Sequence, residues 1–127
     1  MGKNIITEEL TKAAKIAKEK YVKKHGGEYD TWDKLKKFYG KNIERLWELF
    51  IRSIVLENIE MRKKLRWRNP EKEPPKKSRL KILIKYRNEN DIVKVIIGYY
   101  DSNKKGYFRG KNRIAGIIGW LTIPKEN

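Results

Sequence analysis

The chain has no cysteine and one histidine in 127 residues. Without thiols there is no disulfide, no thiolate zinc site and no cysteine nucleophile. That composition fits a reducing compartment, the cytoplasm of a host cell. His25 stands beside Gly26 and Gly27 at the end of an expected helix, where a cationic cap is the economical role and a general base the remote one. Gly-rich phosphate loops, HExxH and Ser-His-Asp patterns are missing. Nothing calls for a cofactor or a metal. Long uninterrupted apolar runs are missing too: the most apolar stretch, 43–59, contains Glu44, Arg45, Glu48, Arg52 and Glu57, so it will not span a bilayer. The N-terminus lacks a signal peptide's apolar run, and Ile6 stands where a myristoylation start needs Ser or Thr. A soluble protein with no membrane partner is the expectation.

Acidic residues are scarce: 16 Asp and Glu face 32 Lys and Arg, leaving a net charge of +16. Such an excess repels itself in a folded chain, and a polyanionic partner is its natural counterpart. The bland alternative is a lysine-rich solvated surface.

The most informative stretch is 42–68, NIERLWELFIRSIVLENIEMRKKLRWR. Ile43, Leu46, Trp47, Phe50, Ile54, Met61 and Leu65 recur at helical spacing. Leu49, Ile51, Val55, Leu56 and Ile59 widen that stripe into a nearly all-round apolar surface. The pattern predicts one long sheathed helix, capped by Asn42 and ending in a basic collar around Trp67. Before it, Thr7 can cap a first helix whose apolar face is Leu10, Ala13, Ala14, Ala17, Tyr21 and Val22 and which stops at Gly26-Gly27. Asp30-Thr31 can cap a short second helix from Trp32 to Tyr39. Residues 1–66 thus predict a three-helix bundle half.

Pro70, Pro74 and Pro75 then forbid helix and mark a crossing to a β half, residues 67–127. Ile82, Ile84 and Tyr86 alternate with Lys81, Lys85 and Arg87, which reads as a half-buried strand. The stretch 92–100 reads as a central strand. Gly106 to Arg109 starts a third, and 114–123 gives the last, with Gly116 and Gly119 marking a bend or bulge. The expected class is α+β: a three-helix bundle packed on a four-stranded antiparallel meander or small barrel, joined by a core through Trp47, Trp67 and Trp120.

Trp67, Pro70 and Pro75, the strand KILIKY, then IIGYYD ending at Asp101, and GWLTIP ending at Pro124 follow one another in order. With these residues the C-terminal half resembles a small phage and prophage domain of unknown function that closes on Trp-Met-Pro-Leu-Pro. Thr122 replaces the first closing proline. The resemblance implies a mobile-element origin and a compact β unit, and brings no catalytic residue.

Two constellations carry the functional expectation. From Arg62 to Lys81 there are ten Lys or Arg and two Glu. Arg62, Lys63, Lys64, Arg66, Arg68, Lys76, Lys77 and Arg79 are the candidate phosphate contacts there, since phosphates need cations at fixed spacing. The second patch is the hairpin DSNKKGYFRGKNR, with Lys104, Lys105, Arg109, Lys111 and Arg113 around Tyr107 and Phe108. Strand alternation sends Tyr107 and Phe108 to opposite faces, so one is expected in the core and one among the cations, free to stack on a base. Glu28, Asp30 and Asp33 could ligate a metal but are explained more cheaply as cap and dipole partners. Three functions follow. One is a non-enzymatic nucleic-acid-binding accessory protein of a phage or mobile element, taking DNA or RNA. Another is an inhibitor or adaptor on a nucleic-acid-handling host protein. The third is a small metal-independent ribonuclease or toxin using Tyr107, Arg109, Lys111 or Arg113.

Overall fold

The computed structural model describes residues 8–57 and 59–123. Among them, helices α1 (Glu8–His25), α2 (Trp32–Tyr39) and α3 (Ile43–Glu57) precede strands β1 (Lys81–Arg87), β2 (Val93–Asp101), β3 (Gly106–Arg109), β4 (Asn112–Ile114) and β5 (Ile117–Thr122). The chain divides into two units, Met1–Arg66 and Trp67–Asn127. No helix of the described residues is long and apolar enough to cross a membrane.

In the helical unit, α1 buries Ala13, Ala14 and Ala17, small residues that allow close approach, together with Tyr21 and Val22. Thr7, the expected cap, lies outside the described residues. The basic last turn of α1 meets the acidic end of α3: Lys24 Nζ is 2.6 Å from Glu57 Oε2, and His25 Nε2 is 3.5 Å from Glu57 Oε1. Hydrogen bonds from Lys24 and then Ser53 hold the Glu57 carboxyl below its ordinary range. Thr31 rather than Asp30 caps α2, its Oγ1 accepting the Lys34 N–H at 3.1 Å, while Asp30 pairs with Lys34 Nζ at 2.7 Å. Gly40, at φ +51°, ends α2, and a 3-10 turn over Gly40–Asn42 leads straight into α3, so Asn42 is part of a turn and not a separate cap.

The core of this unit is Leu46, Phe50 and Ile54, all 0% exposed, with Trp47 and Ile51 beside them. The rings of Tyr21, Trp32 and Trp47 surround Phe50 at 5.6, 4.9 and 5.7 Å between centroids. Edge-on and tilted contacts of this kind add about 0.5–1.5 kcal/mol each beyond the area they bury.

The expected long helix over 42–68 does not form. Helix α3 stops at Glu57, Ile59 is extended, and a 3-10 segment at Glu60–Lys64 ends in extended Leu65. A continuous helix would have set Arg62 against Arg66 and Lys64 against Arg68 at i, i+4, a repulsive arrangement. The redirected chain instead buries Met61, 4% exposed, in the turn that lies against α1. Arg68 becomes strand-like: it exchanges backbone hydrogen bonds with Trp120 at 2.9 and 3.2 Å.

The sheet is antiparallel with order β4-β3-β2-β1-β5. The expected three-helix bundle on a four-stranded sheet is therefore corrected. Two long helices joined through a short one accompany five strands. Of the stretch read as the last strand, 114–123, only Ile117–Thr122 forms β5; Ile114 instead ends β4, a short strand not expected, and the chain breaks between them at Gly116 with φ +72°. Strand β5 crosses to the far edge and pairs with β1, which makes β1 an interior strand, and its Ile82, Leu83 and Ile84 are each 0% exposed, so both of its faces are covered. Alternation made β1 look half-buried because what packs on a strand's second face is not written in its own sequence.

Strands β4 and β5 occupy opposite edges yet are joined by Ala115-Gly116 alone. Four flat inter-strand steps would separate them by about 19 Å, and the link spans at most about 11 Å. The sheet must curl. Its concave face gathers Ile82, Ile84, Ile96, Tyr107 and Trp120, with Tyr86, Tyr100, Ile114 and Ile117 packed against them. The proline-rich segment straps this core: Tyr107 Oη donates to Pro70 O at 3.0 Å, Trp120 Nε1 donates to Glu73 O at 2.8 Å, and Pro75 is buried. At Gly119 a Cβ would meet Trp67 Cβ at 2.7 Å, so that glycine admits the strap's first residue.

Candidate nucleic-acid interface

The Asp101–Gly106 turn sets the register from which the site is built. Asp101 opposes Gly106, so Tyr99 opposes Phe108, and Phe108 in turn opposes Arg113. On the other side Tyr99 opposes Lys81. Lys81, Tyr99, Phe108 and Arg113 thus form one cross-strand row on the convex face, opposite in parity to Tyr107.

The row fixes its cations. Tyr99 and Phe108 are stacked, 5.8 Å between centroids with 19° between planes. The Arg113 guanidinium lies 5.4 Å from the Phe108 centroid and donates to the carbonyls of Lys104 and Lys105 at 3.4 and 3.2 Å. It also fills the place a side chain at Gly106 would need, 2.6 Å from that Cβ position. Lys104 Nζ sits 5.4 Å from the same Phe108 ring. Arg79 lies 5.7 Å from the Tyr99 ring and 3.5 Å from Asp101 Oδ2. Each such cation–ring contact contributes about 0.5–1 kcal/mol at an exposed site. Arg79 also holds a left-handed backbone, φ 64°, anchored by its N–H to Tyr100 O at 2.8 Å. Ser78 locks the same corner by accepting the Ser102 N–H at 3.0 Å.

Asp101 is the hinge of this arrangement. Burial raises its carboxyl's pKa, but the N–H groups of Lys104 and Asn103, at 3.2 and 2.9 Å, and then the Arg79 charge outweigh it. The net pKa lies below the ordinary range. An ionised Asp101 therefore shapes the turn that carries Lys104 and Lys105 and steers Arg79 at once.

Of the residues expected at the interface, the fold gathers Arg79, Lys104, Phe108 and Arg113. Lys105 adjoins them on the turn. Tyr107 does not belong. It is 6% exposed on the concave face, and burial, then Tyr100, pushes its phenol up to about 12. That removes Tyr107 from the accessible groups named for the ribonuclease alternative. Phe108 is buried too, at 7%. The expectation that one ring of the pair stands free for a base is corrected: Phe108 is covered by Tyr99, Lys104 and Arg113 and acts as their seat. Arg109 and Lys111 are exposed at the β3–β4 turn, and Lys76 and Lys77 on the strap. Arg68 lies over the Trp120 ring at 5.3 Å. Arg62, Lys63, Lys64 and Arg66 belong to the helical unit, on or just after its 3-10 segment. Tyr99 and Lys81 were missed, although counting back from the Asp101–Gly106 turn identifies both.

No family model, curated protein or solved structure matches this chain. The resemblance to a phage domain therefore rests on the Trp67-to-Pro124 motif residues alone. Among the described residues no group of three His, Asp or Glu could hold a metal ion. Asp30 and Asp33 pair with Lys34 and Lys36 instead.

Proposed function

We propose that the chain is a non-enzymatic nucleic-acid-binding accessory protein, of the phage or mobile-element kind its second half resembles. In this reading it grips the sugar-phosphate backbone through the convex row of the sheet unit. The observation that carries the proposal is the seating of Arg79, Lys104 and Arg113 on the stacked Tyr99–Phe108 pair. These cations are held by rings and carbonyls, so little of their freedom remains to be lost when a phosphate arrives. A row of positioned cations with no free aromatic face reads charge and spacing rather than base identity.

Fluorescence anisotropy with labelled single strands and duplexes, titrated with salt, tests this. With about four phosphates neutralised, log affinity should fall against log salt with a slope of about −3 for a single strand and about −4 for a duplex. Arg79→Glu, Lys104→Glu and Arg113→Glu together should flatten the slope for every sequence alike. An unchanged slope in that triple variant would remove the row from the interface.

A further inference from the structure

Beyond the row, the curled sheet opens into a cleft of about 620 Å³ between the β1–β2 turn and the β3–β4 turn. Its apolar lining is Tyr86, Ile96 and Ile114, an extension of the concave core. Its rim carries Arg109, Arg87 and Arg113 against the Glu89 carboxylate. These arginines differ in their commitments. Arg87 is tied to Asp91 at 3.3 Å, and Arg113 is seated on the row. Arg109 is exposed and engages no carboxylate among the described residues.

We propose that this cleft receives one unpaired nucleotide of a bound strand, an inference that rests on the nucleic-acid reading of the row. A volume of this order suits a small ligand with a flat apolar body and a few polar edges. The Tyr86 ring, which lines the cleft with Ile96 and Ile114, offers a base its flat contact, and Arg109 offers the phosphate a cation. Glu89 can accept a hydrogen bond from an exocyclic amine, which cytosine, adenine and guanine carry and uracil lacks. Arg113 borders both the row and the cleft, so one strand can follow the row and turn a base inward. A paired base cannot enter, because its edge and faces are occupied within the duplex. The sheet unit thereby gains a preference for single strands that the row alone does not provide.

Two measurements on the full chain test the cleft. In the first, CMP, GMP and UMP are titrated while the Ile96 and Ile114 methyl and Tyr86 ring resonances are followed by NMR. Saturable shifts at these residues are expected with CMP and GMP, and weaker ones with UMP. In the second, a short single strand and its duplex are compared in the wild type and in A115W, whose indole would fill the cleft. The single-strand to duplex affinity ratio should fall by about tenfold, the loss of one stacked base. R109A repeats this measurement independently of whether A115W folds, and should lower the ratio severalfold. Absent shifts, or a ratio unchanged in the variants, would overturn the cleft while leaving the row's salt-dependent binding intact. Equal shifts with UMP would overturn the base preference. A flattened salt slope in an Arg79→Glu, Lys104→Glu double variant, whose two positions do not line the cleft, with the cleft shifts retained, supports both sites.

Discussion

The two units carry comparable charge and use it differently. The first 66 residues hold seventeen Lys and Arg against ten Asp and Glu, and the remaining residues fifteen against six. In the helical unit the cations with ion pairs meet carboxylates of neighbouring turns or helix ends: Lys24 with Glu57, Lys34 with Asp30, Lys36 with Asp33 and Arg45 with Glu48. These pairs follow helical spacing or join helix ends, and exposed pairs of this sort contribute little to stability. In the sheet unit Arg79, Lys104 and Arg113 are seated on rings and carbonyls, at positions set by strand register. A net charge therefore does not locate an interface. On the proposed reading, what separates the units is whether the cations pair along their own element or are held in a row by the fold. Lys18 also lies near two rings, Trp32 and Trp47 at 5.0 and 5.1 Å, but on a helix and outside any cross-strand row.

The largest expected effect concerns what holds each unit together. Phe50→Ala removes the ring on which Tyr21, Trp32 and Trp47 converge and should cost about 3–5 kcal/mol in denaturant unfolding. Helical circular dichroism should register that loss. A loss below about 1 kcal/mol would mean that the aromatic cluster collapses around the cavity and is less essential than its burial suggests.

Next comes the electrostatic contrast itself. The Arg79→Glu, Lys104→Glu and Arg113→Glu triple variant should weaken oligonucleotide binding by about a hundredfold at low salt. Reversing Lys12, Lys20 and Lys37, exposed on α1 and α2, should weaken it only a fewfold, through general charge. Equal losses in the two triple variants would erase the distinction between the units and leave +16 as the whole explanation.

The smallest expected effect is with pH. The unfolded-state reference is 3.8 for Asp101 and 4.5 for Glu57, and both are lowered in the fold. A depressed carboxyl contributes stability that is present above its unfolded value and is lost as the pH falls through the folded one. Thermal melting should thus be flat through mild acidity and decline below about pH 4. Asp101→Asn should remove part of that decline and also loosen Arg79, seen as weaker binding at neutral pH. Ser53→Ala should affect only the Glu57 side, with binding unchanged. If Asp101→Asn leaves binding untouched, Asp101 shapes the turn without positioning the row.

Local patterns were legible wherever the cause is local. The Gly26 and Gly40 stops, the short helix at Trp32, the break at Pro70 and the turn at Asp101–Gly106 all follow from the conformational preferences of a few adjacent residues. By itself the sequence also determined the excess of positive charge, the lack of thiol chemistry and the alternation that sends Tyr107 and Phe108 to opposite faces. Only the tertiary structure decided that both faces of β3 are covered at these positions, because burial depends on what other strands and side chains bring. It alone ended α3 at Glu57, where tertiary docking of Met61 prevailed over an apolar stripe that would have continued the helix. It alone added the short strand β4 and carried β5 to the far edge. That step curled the sheet and formed the cleft. Tyr99 joined Phe108 for the same reason: cross-strand neighbours are set by pairing between distant segments, and no single segment encodes its partner.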